Sequence, residues 1–151
     1  MIINSLMKLL SILKELNDSD VEFIKHQLNP ILEQFRLRFV ITNHAAFDRL
    51  IRDKSRQNIT RDDVVHTIEA FVRKCGEGDN NYARKIAGYK REKREIEGLI
   101  TNLNNNLRII FAIDFNRPSS NGIFNFKVIT AIVADDFRTD ARPFTEKFFV
   151  R

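Results

Sequence analysis

The feature that most constrains the fold of this chain is a change of hydrophobic period at Glu95. Before Glu95, apolar residues recur at three- and four-residue spacing, which is typical of amphipathic helices. After it the spacing falls to two, which is typical of strands with one buried face. Because helical and strand patterns are segregated along the chain, the sequence predicts an α+β domain.

The strand-rich part contains a hairpin signal and two further strand signals. Asn104-Asn105-Asn106 separates two apolar runs and predicts a tight turn, since Asn tolerates positive φ. The run FNFKVITAIV has the composition of a strand, and KFFV predicts a short last strand. We therefore expect a sheet of three or four antiparallel strands packed against N-terminal helices.

Two helices are predicted between residues 43 and 74. Thr42 or Asn43 can cap the first, over about 43–54. Thr60 with Asp63 three residues later predicts a capping box for the second, over about 61–74. The expected buried stripe of this second helix consists of Val64, Ile68, Phe71 and Val72.

Residues 1–41 predict a helical N-terminal arm. Leucines recur at helical spacing over residues 5–16, and a second helix follows. In that helix Pro30 can begin a renewed segment that reaches about Phe39. The pattern of residues 42–151 predicts that they form a single globular unit. The pattern leaves open whether the arm packs on its own domain or forms a homodimer.

Cysteine usage and the N-terminus bear on the compartment. Cys75 is the only cysteine, so no internal disulfide can form and a reducing compartment fits best. The apolar N-terminal run is interrupted by Lys8 and lacks a small-x-small cleavage site, which argues against a signal peptide. The run is also too short to span a bilayer. We expect a cytoplasmic protein without a membrane partner.

The net charge of +5 is concentrated in the middle of the chain. Residues 43–94 hold 13 basic and 8 acidic side chains, whereas residues 1–42 hold 5 and 5 and residues 95–151 hold 7 and 7. A local positive surface attracts phosphate backbones through counterion release, which predicts a nucleic-acid partner. The alternative is a solvated basic face without a partner.

The most basic stretch is residues 79–94, with six cationic side chains and two tyrosines. It fits a short helix or a loop. Tyrosines between cations can stack bases while the cations hold phosphates; an exposed helix without a ligand is the alternative. The candidate substrate-binding residues are Arg84, Lys85, Tyr89, Lys90, Arg91, Lys93 and Arg94.

The candidate catalytic residues of the chain are two histidines, His44 and His66. No glycine-rich phosphate loop, zinc spacing, HExxH or nucleophile elbow occurs, so we predict no metal and no cofactor. On a helical wheel His44 shares an edge with Asp48 and Arg52, and His66 projects opposite a buried face. Two histidines beside cations suit metal-free RNA cleavage, in which one accepts the 2′-hydroxyl proton and the other protonates the 5′-oxygen. Idle surface histidines are the alternative.

Four features carry a resemblance to known proteins: NHAAFDRLIR, His66 in the next helix, the hairpin REIEGLITNLNNNLRIIFAID and the strand FKVITAIV. They resemble the barnase, EndoU, colicin and RelE group of ribonucleases, and within it the RegB-type phage endoribonuclease, which cleaves early messenger RNA. The likeness covers about residues 42–134. It implies a RelE-like α+β fold, His44 and His66 as the catalytic pair, and the host cytoplasm if a phage encodes the protein.

The catalytic arginine has two candidates. The resemblance implies Arg49, although its spacing from His44 is one residue longer than in the phage enzyme and the gap between the histidines is two residues longer. One residue rotates a helical side chain by about 100°. Our helical wheel therefore favours Arg52, which lies on the same edge as His44.

Together these features favour a metal-independent endoribonuclease that cleaves messenger RNA, free or on the ribosome, as a toxin or a phage regulator. One alternative is a non-catalytic protein that binds nucleic acid or a host factor through residues 84–94. Another is a structural protein that forms dimers through its N-terminal arm.

Overall fold

A computed structural model describes residues 20–41, 60–119, 121–133 and 146–151. Within these residues, three helices and a five-stranded sheet form an α+β fold. The α+β class is confirmed, whereas the expected number of three or four strands is wrong, because Leu37–Ile41 form a strand where a helix was predicted. The helices are α1 (20–33), α2 (Arg61–Cys75) and α3 (Asn81–Arg91). The strands are β1 (Leu37–Ile41), β2 (Glu95–Asn102), β3 (Leu107–Asp114), β4 (Phe124–Val133) and β5 (Glu146–Val150).

Some predictions fall on other parts of the chain. The helices expected over 5–16 and 43–54 lie outside the described residues, and so do the candidate catalytic residues His44, Arg49 and Arg52. In the described ranges, no helix is long and apolar enough to cross a membrane.

The sheet has the strand order β1-β4-β3-β2-β5. The predicted hairpin is confirmed: β2 and β3 pair antiparallel, and Asn106 in their turn has a φ of 58°. The prediction of a purely antiparallel sheet is wrong, because β1 pairs parallel with β4 and β5 pairs parallel with β2. Alternation of apolar residues indicates which face of a strand is buried, but it does not specify the direction of the neighbouring strand.

The predicted helical segment that reaches Phe39 is also wrong. α1 passes through Pro30 but ends at residue 33, and Arg36 in the following turn has a left-handed φ of 57°. That conformation cannot continue a helix. The next residues alternate between buried and more exposed side chains, as a strand requires.

One hydrophobic core is formed by buried side chains of α1, α2 and one face of the sheet. The apolar stripe of α1 is buried within it, so residues 20–41 pack on their own chain. At its centre Phe111 stacks on Phe126 with ring centroids 4.8 Å apart, and Phe71 meets Phe111 at 5.1 Å and Phe148 at 4.7 Å. These rings supply the large buried area that a core without tryptophan requires.

The start of α2 confirms the predicted capping box. The backbone N–H of Asp63 donates to Thr60 Oγ1 at 3.3 Å, and the N–H of Thr60 donates to Asp63 Oδ2 at 2.8 Å. The predicted stripe of this helix is buried. Thr67, also buried, donates to the Asp63 carbonyl and accepts from Asn102 Nδ2 at 2.9 Å, which ties α2 to β2.

Candidate nucleic-acid interface

Helix α3 carries most of the predicted substrate-binding residues. Asn80 caps it, since Asn80 Oδ1 accepts from the N–H of Ala83 at 2.9 Å. The amide of Asn80 also donates to the Lys74 carbonyl at 2.8 Å, which links the start of α3 to the end of α2. No residue of α3 is fully buried, so this helix lies on the surface of the fold.

Tyr82 attaches the first turn of α3 to the edge strand β5. Its hydroxyl accepts from the backbone N–H of Phe149 at 2.8 Å and donates to the Phe149 carbonyl at 3.2 Å. Its ring meets that of Phe148 edge-on at 5.0 Å. An edge strand otherwise presents unpaired backbone groups to other chains, so α3 protects this edge of the sheet.

A second attachment joins the middle of α3 to the start of β5 through Glu146. Lys85 Nζ lies 2.7 Å from Glu146 Oε2, and the Tyr89 hydroxyl donates to Glu146 Oε1 at 2.8 Å. The hydrogen bond from Lys85 is the main cause that lowers the pKa of Glu146. Partial burial, followed by the hydrogen bond to Glu146, raises the pKa of Tyr89.

The ion pairs therefore divide the predicted substrate-binding residues into two groups. Arg84 pairs with Asp79, Lys85 with Glu146, and Arg94 with Glu92 at 3.0 Å. The Arg94 guanidinium also lies over the Tyr89 ring, 4.9 Å from its centroid, so one face of that ring is already covered. These four side chains are committed to contacts within the protein.

The other group is formed by Lys90, Arg91 and Lys93, which are exposed at the C-terminal end of α3 and in the turn after it. In the described part of the chain none of them forms an ion pair with an acid. Cations in the last turn of a helix are favoured by its dipole, so this position costs the fold little. Within the described ranges, they are therefore the candidates for contact with an external anion.

Arg36 joins this group from another part of the sequence. It is exposed, forms no ion pair with the acids of the described ranges, and lines the same cavity as Lys90. We call Arg36, Lys90, Arg91 and Lys93 the basic corner. Arg36 was not among the predicted site residues, because a helix was expected there. Its left-handed φ of 57° costs about 1–2 kcal/mol relative to glycine.

The cavity beside the basic corner has a volume of about 360 Å³ and opens to solvent. It lies between the turn after α1, the last turn of α2, the face of α3 from Ala83 to Lys90, and the end of β3. Its walls are mostly apolar and include Phe35, Phe71, Ile86 and Phe115. Cys75 is part of the wall, and burial raises the pKa of its thiol to about 12, so it stays protonated near neutral pH.

His66 is exposed on α2, as predicted, and its Nε2 lies 3.2 Å from the carbonyl oxygen of Arg151. Arg151 follows β5, whereas Glu146, which holds Lys85 and Tyr89, begins it. At the rise of an extended strand, five residues separate these ends by about 16 Å. The structure therefore brings the basic residues of α3 together but leaves His66 apart from them.

Among residues 20–41, 60–119, 121–133 and 146–151, no group of three or more His, Cys, Asp or Glu side chains could hold a metal ion. Arg36 and Lys90, by contrast, are exposed cationic residues that both line an apolar cavity. Comparison of the chain with protein-family models, curated protein sequences and solved structures gives no match in any of the three.

Proposed function

We propose that this protein binds single-stranded RNA through the basic corner. The observation that carries the proposal is the exposure of Lys90, Arg91 and Lys93 without acidic partners in the described part of the chain, with Arg36 beside them. The cations of such a surface displace the counterions that are condensed on a phosphate backbone, and this release supplies most of the affinity of non-specific binding. The expected ligand is a flexible single strand, because such a strand can adjust its backbone so that one phosphate contacts each of the separate cations around the helix end.

The number of cations sets the expected salt dependence. Four phosphate contacts on a single strand give a slope of about −3 for log affinity against log salt concentration, and two contacts give about −1.5. Arg84, Lys85 and Arg94 are expected to contribute less, since each must first leave an acidic partner.

A direct test is fluorescence anisotropy with a labelled RNA oligonucleotide at several salt concentrations. Removal of two charges by Lys90→Gln with Lys93→Gln should weaken binding and reduce the slope by about half. The matched control is Lys127→Gln with Lys147→Gln, which removes two exposed lysines from strands of the sheet. Equal loss of affinity in both double variants would show that only net charge matters and would refute the assignment to this corner.

Cleavage of the bound RNA is a second candidate function, and the exposure of His66 favours it because an exposed imidazole is accessible to substrate. His66 would act on the part of the strand that extends beyond the basic corner. His44, with Arg49 or Arg52, stays a prediction of the sequence. Incubation of messenger RNA with the protein in EDTA should give 2′,3′-cyclic phosphate ends, and His44→Ala should abolish them while leaving RNA affinity unchanged.

A further inference from the structure

We propose that the cavity beside the basic corner is a binding site for a small amphipathic carboxylate, a molecule with an apolar body and one anionic head. This site shares Arg36 and Lys90 with the proposed RNA surface but takes a different ligand. Its volume of about 360 Å³ lies within the range of small-molecule sites, which are typically apolar clefts with a few polar groups that fix orientation.

The walls define the apolar half of the ligand. Phe35, Phe71, Ile86 and Phe115 line the interior, and a molecule that covers them removes apolar surface from water. Cys75 belongs to the same wall as a neutral thiol and adds no charge. A polar or charged body would lose its hydration in this cavity and gain few hydrogen bonds in return.

The exposed cations that line the cavity define the anionic head of the ligand. Arg36 and Lys90 both line the cavity and are exposed, and none of the described residues that line it is acidic. A carboxylate bound there would therefore meet two cations and no acidic side chain of the described lining. The guanidinium of Arg36 matches the two oxygens of a carboxylate, whereas Lys90 supplies a point charge.

The probe is decanoate below its micelle concentration, compared with decanol and decyltrimethylammonium, which share the tail but carry no charge or the opposite charge. Isothermal titration calorimetry gives the affinities. Decanoate should bind the wild-type protein best, and each of Arg36→Gly and Lys90→Gln should weaken decanoate binding about tenfold, with little effect on decanol. Glycine at position 36 suits the left-handed backbone, so this variant should fold.

A third variant tests the cavity itself. Ala87 lines the cavity and is exposed, so Ala87→Trp can fill the space without disturbing the core. The matched control is Arg91→Gln, a neighbouring change outside the cavity lining that should leave decanoate binding unaltered. RNA binding should respond in the opposite way: Ala87→Trp should keep the wild-type RNA affinity, and Arg91→Gln should weaken it. Failure of the cavity proposal can therefore be distinguished from failure of the RNA-binding proposal.

Cys75 provides an independent readout, because it is the only cysteine and lies in the cavity wall. Bound decanoate should slow modification of its thiol at pH 9, and Ala87→Trp should remove that protection. No decanoate binding by the wild-type protein, equal binding of decanoate and decanol, or unchanged binding in Ala87→Trp would each overturn the proposal.

Discussion

Gly98 in the middle of β2 is the position where one added methyl group should disturb the core most clearly. A Cβ there would lie 2.3 Å from Cε1 and 2.4 Å from Cζ of Phe111, and 3.1 Å from Cε2 of Phe148. The Phe111 ring cannot retreat freely, because it stacks on Phe126 and contacts Phe71, and all of these rings are buried. Gly98→Ala therefore overpacks a closed cluster of aromatic rings.

The expected loss of stability is the difference between two effects. Overpacking of a core costs about 1–3 kcal/mol, and contacts as short as these belong at the upper end of that range. The reduced freedom of the unfolded chain returns about 0.4–1 kcal/mol when glycine becomes alanine. A net destabilisation of about 2 kcal/mol should lower the Tm by about 4–8 °C in a chain of this length. Urea and thermal unfolding followed by circular dichroism measure both quantities.

Gly88 in α3 provides the matched control, since the nearest atom to an added Cβ is Nη2 of Arg91 at 4.0 Å. Gly88→Ala should stabilise the protein by about 0.5–1 kcal/mol, as expected in a helix interior. In a Phe111→Leu background the smaller side chain leaves room for the methyl group, and Gly98→Ala should cost less than in the wild type. An unfolding midpoint for Gly98→Ala equal to or above that of the wild type, or the same cost in both backgrounds, would refute the steric explanation.

Three further predictions concern a charge, a thiol and a cap. The pKa of Glu146 is lower in the folded protein than its unfolded value near 4.3, so ionised Glu146 stabilises the fold above that pH, and this stability is lost as pH falls through the folded pKa. The free energy of unfolding of Glu146→Gln should therefore change less between pH 5 and pH 3 than that of the wild type. Its partner Lys85 is partly exposed, so the effect at neutral pH is at most about 1 kcal/mol in urea unfolding. Because burial raises the pKa of Cys75, the fold holds the neutral thiol without cost below about pH 9 and is destabilised as pH rises toward 12. The Tm of Cys75→Ala, measured by thermal melts, should lack this alkaline decline. Thr60→Ala removes the α2 cap and should cost about 1 kcal/mol, whereas Thr60→Ser should cost little by the same urea assay.

Local signals in the sequence predicted the elements whose form depends on near neighbours. The capping box of Thr60 and Asp63, the buried stripe of α2 and the hairpin turn at Asn106 were all confirmed. Each depends on residues within a few positions of one another, so spacing and side-chain chemistry are sufficient to indicate it. The strand over Phe124–Val133 was predicted for the same reason, by its β-branched and aromatic content.

Elements that depend on distant partners were predicted incompletely. The helix expected to reach Phe39 gives way to β1, whose pairing with β4 brings together residues more than eighty positions apart. The ion pair of Lys85 with Glu146 joins residues that no short motif connects. For this reason the cations of residues 84–94 look equivalent in the sequence, although only some of them are exposed without an acidic partner in the described ranges.

By itself, the sequence determined the α+β class, the ends of α2, the hairpin and the concentration of positive charge, because these follow from periodicity, capping and composition. Only the tertiary structure decided the parallel edge strands, the ion pairs that occupy Arg84, Lys85 and Arg94, and the cavity between Arg36 and Lys90. The physical reason is that hydrogen-bonded ladders, ion pairs and cavities are formed by residues far apart in the chain, and their positions depend on how the helices pack on the sheet.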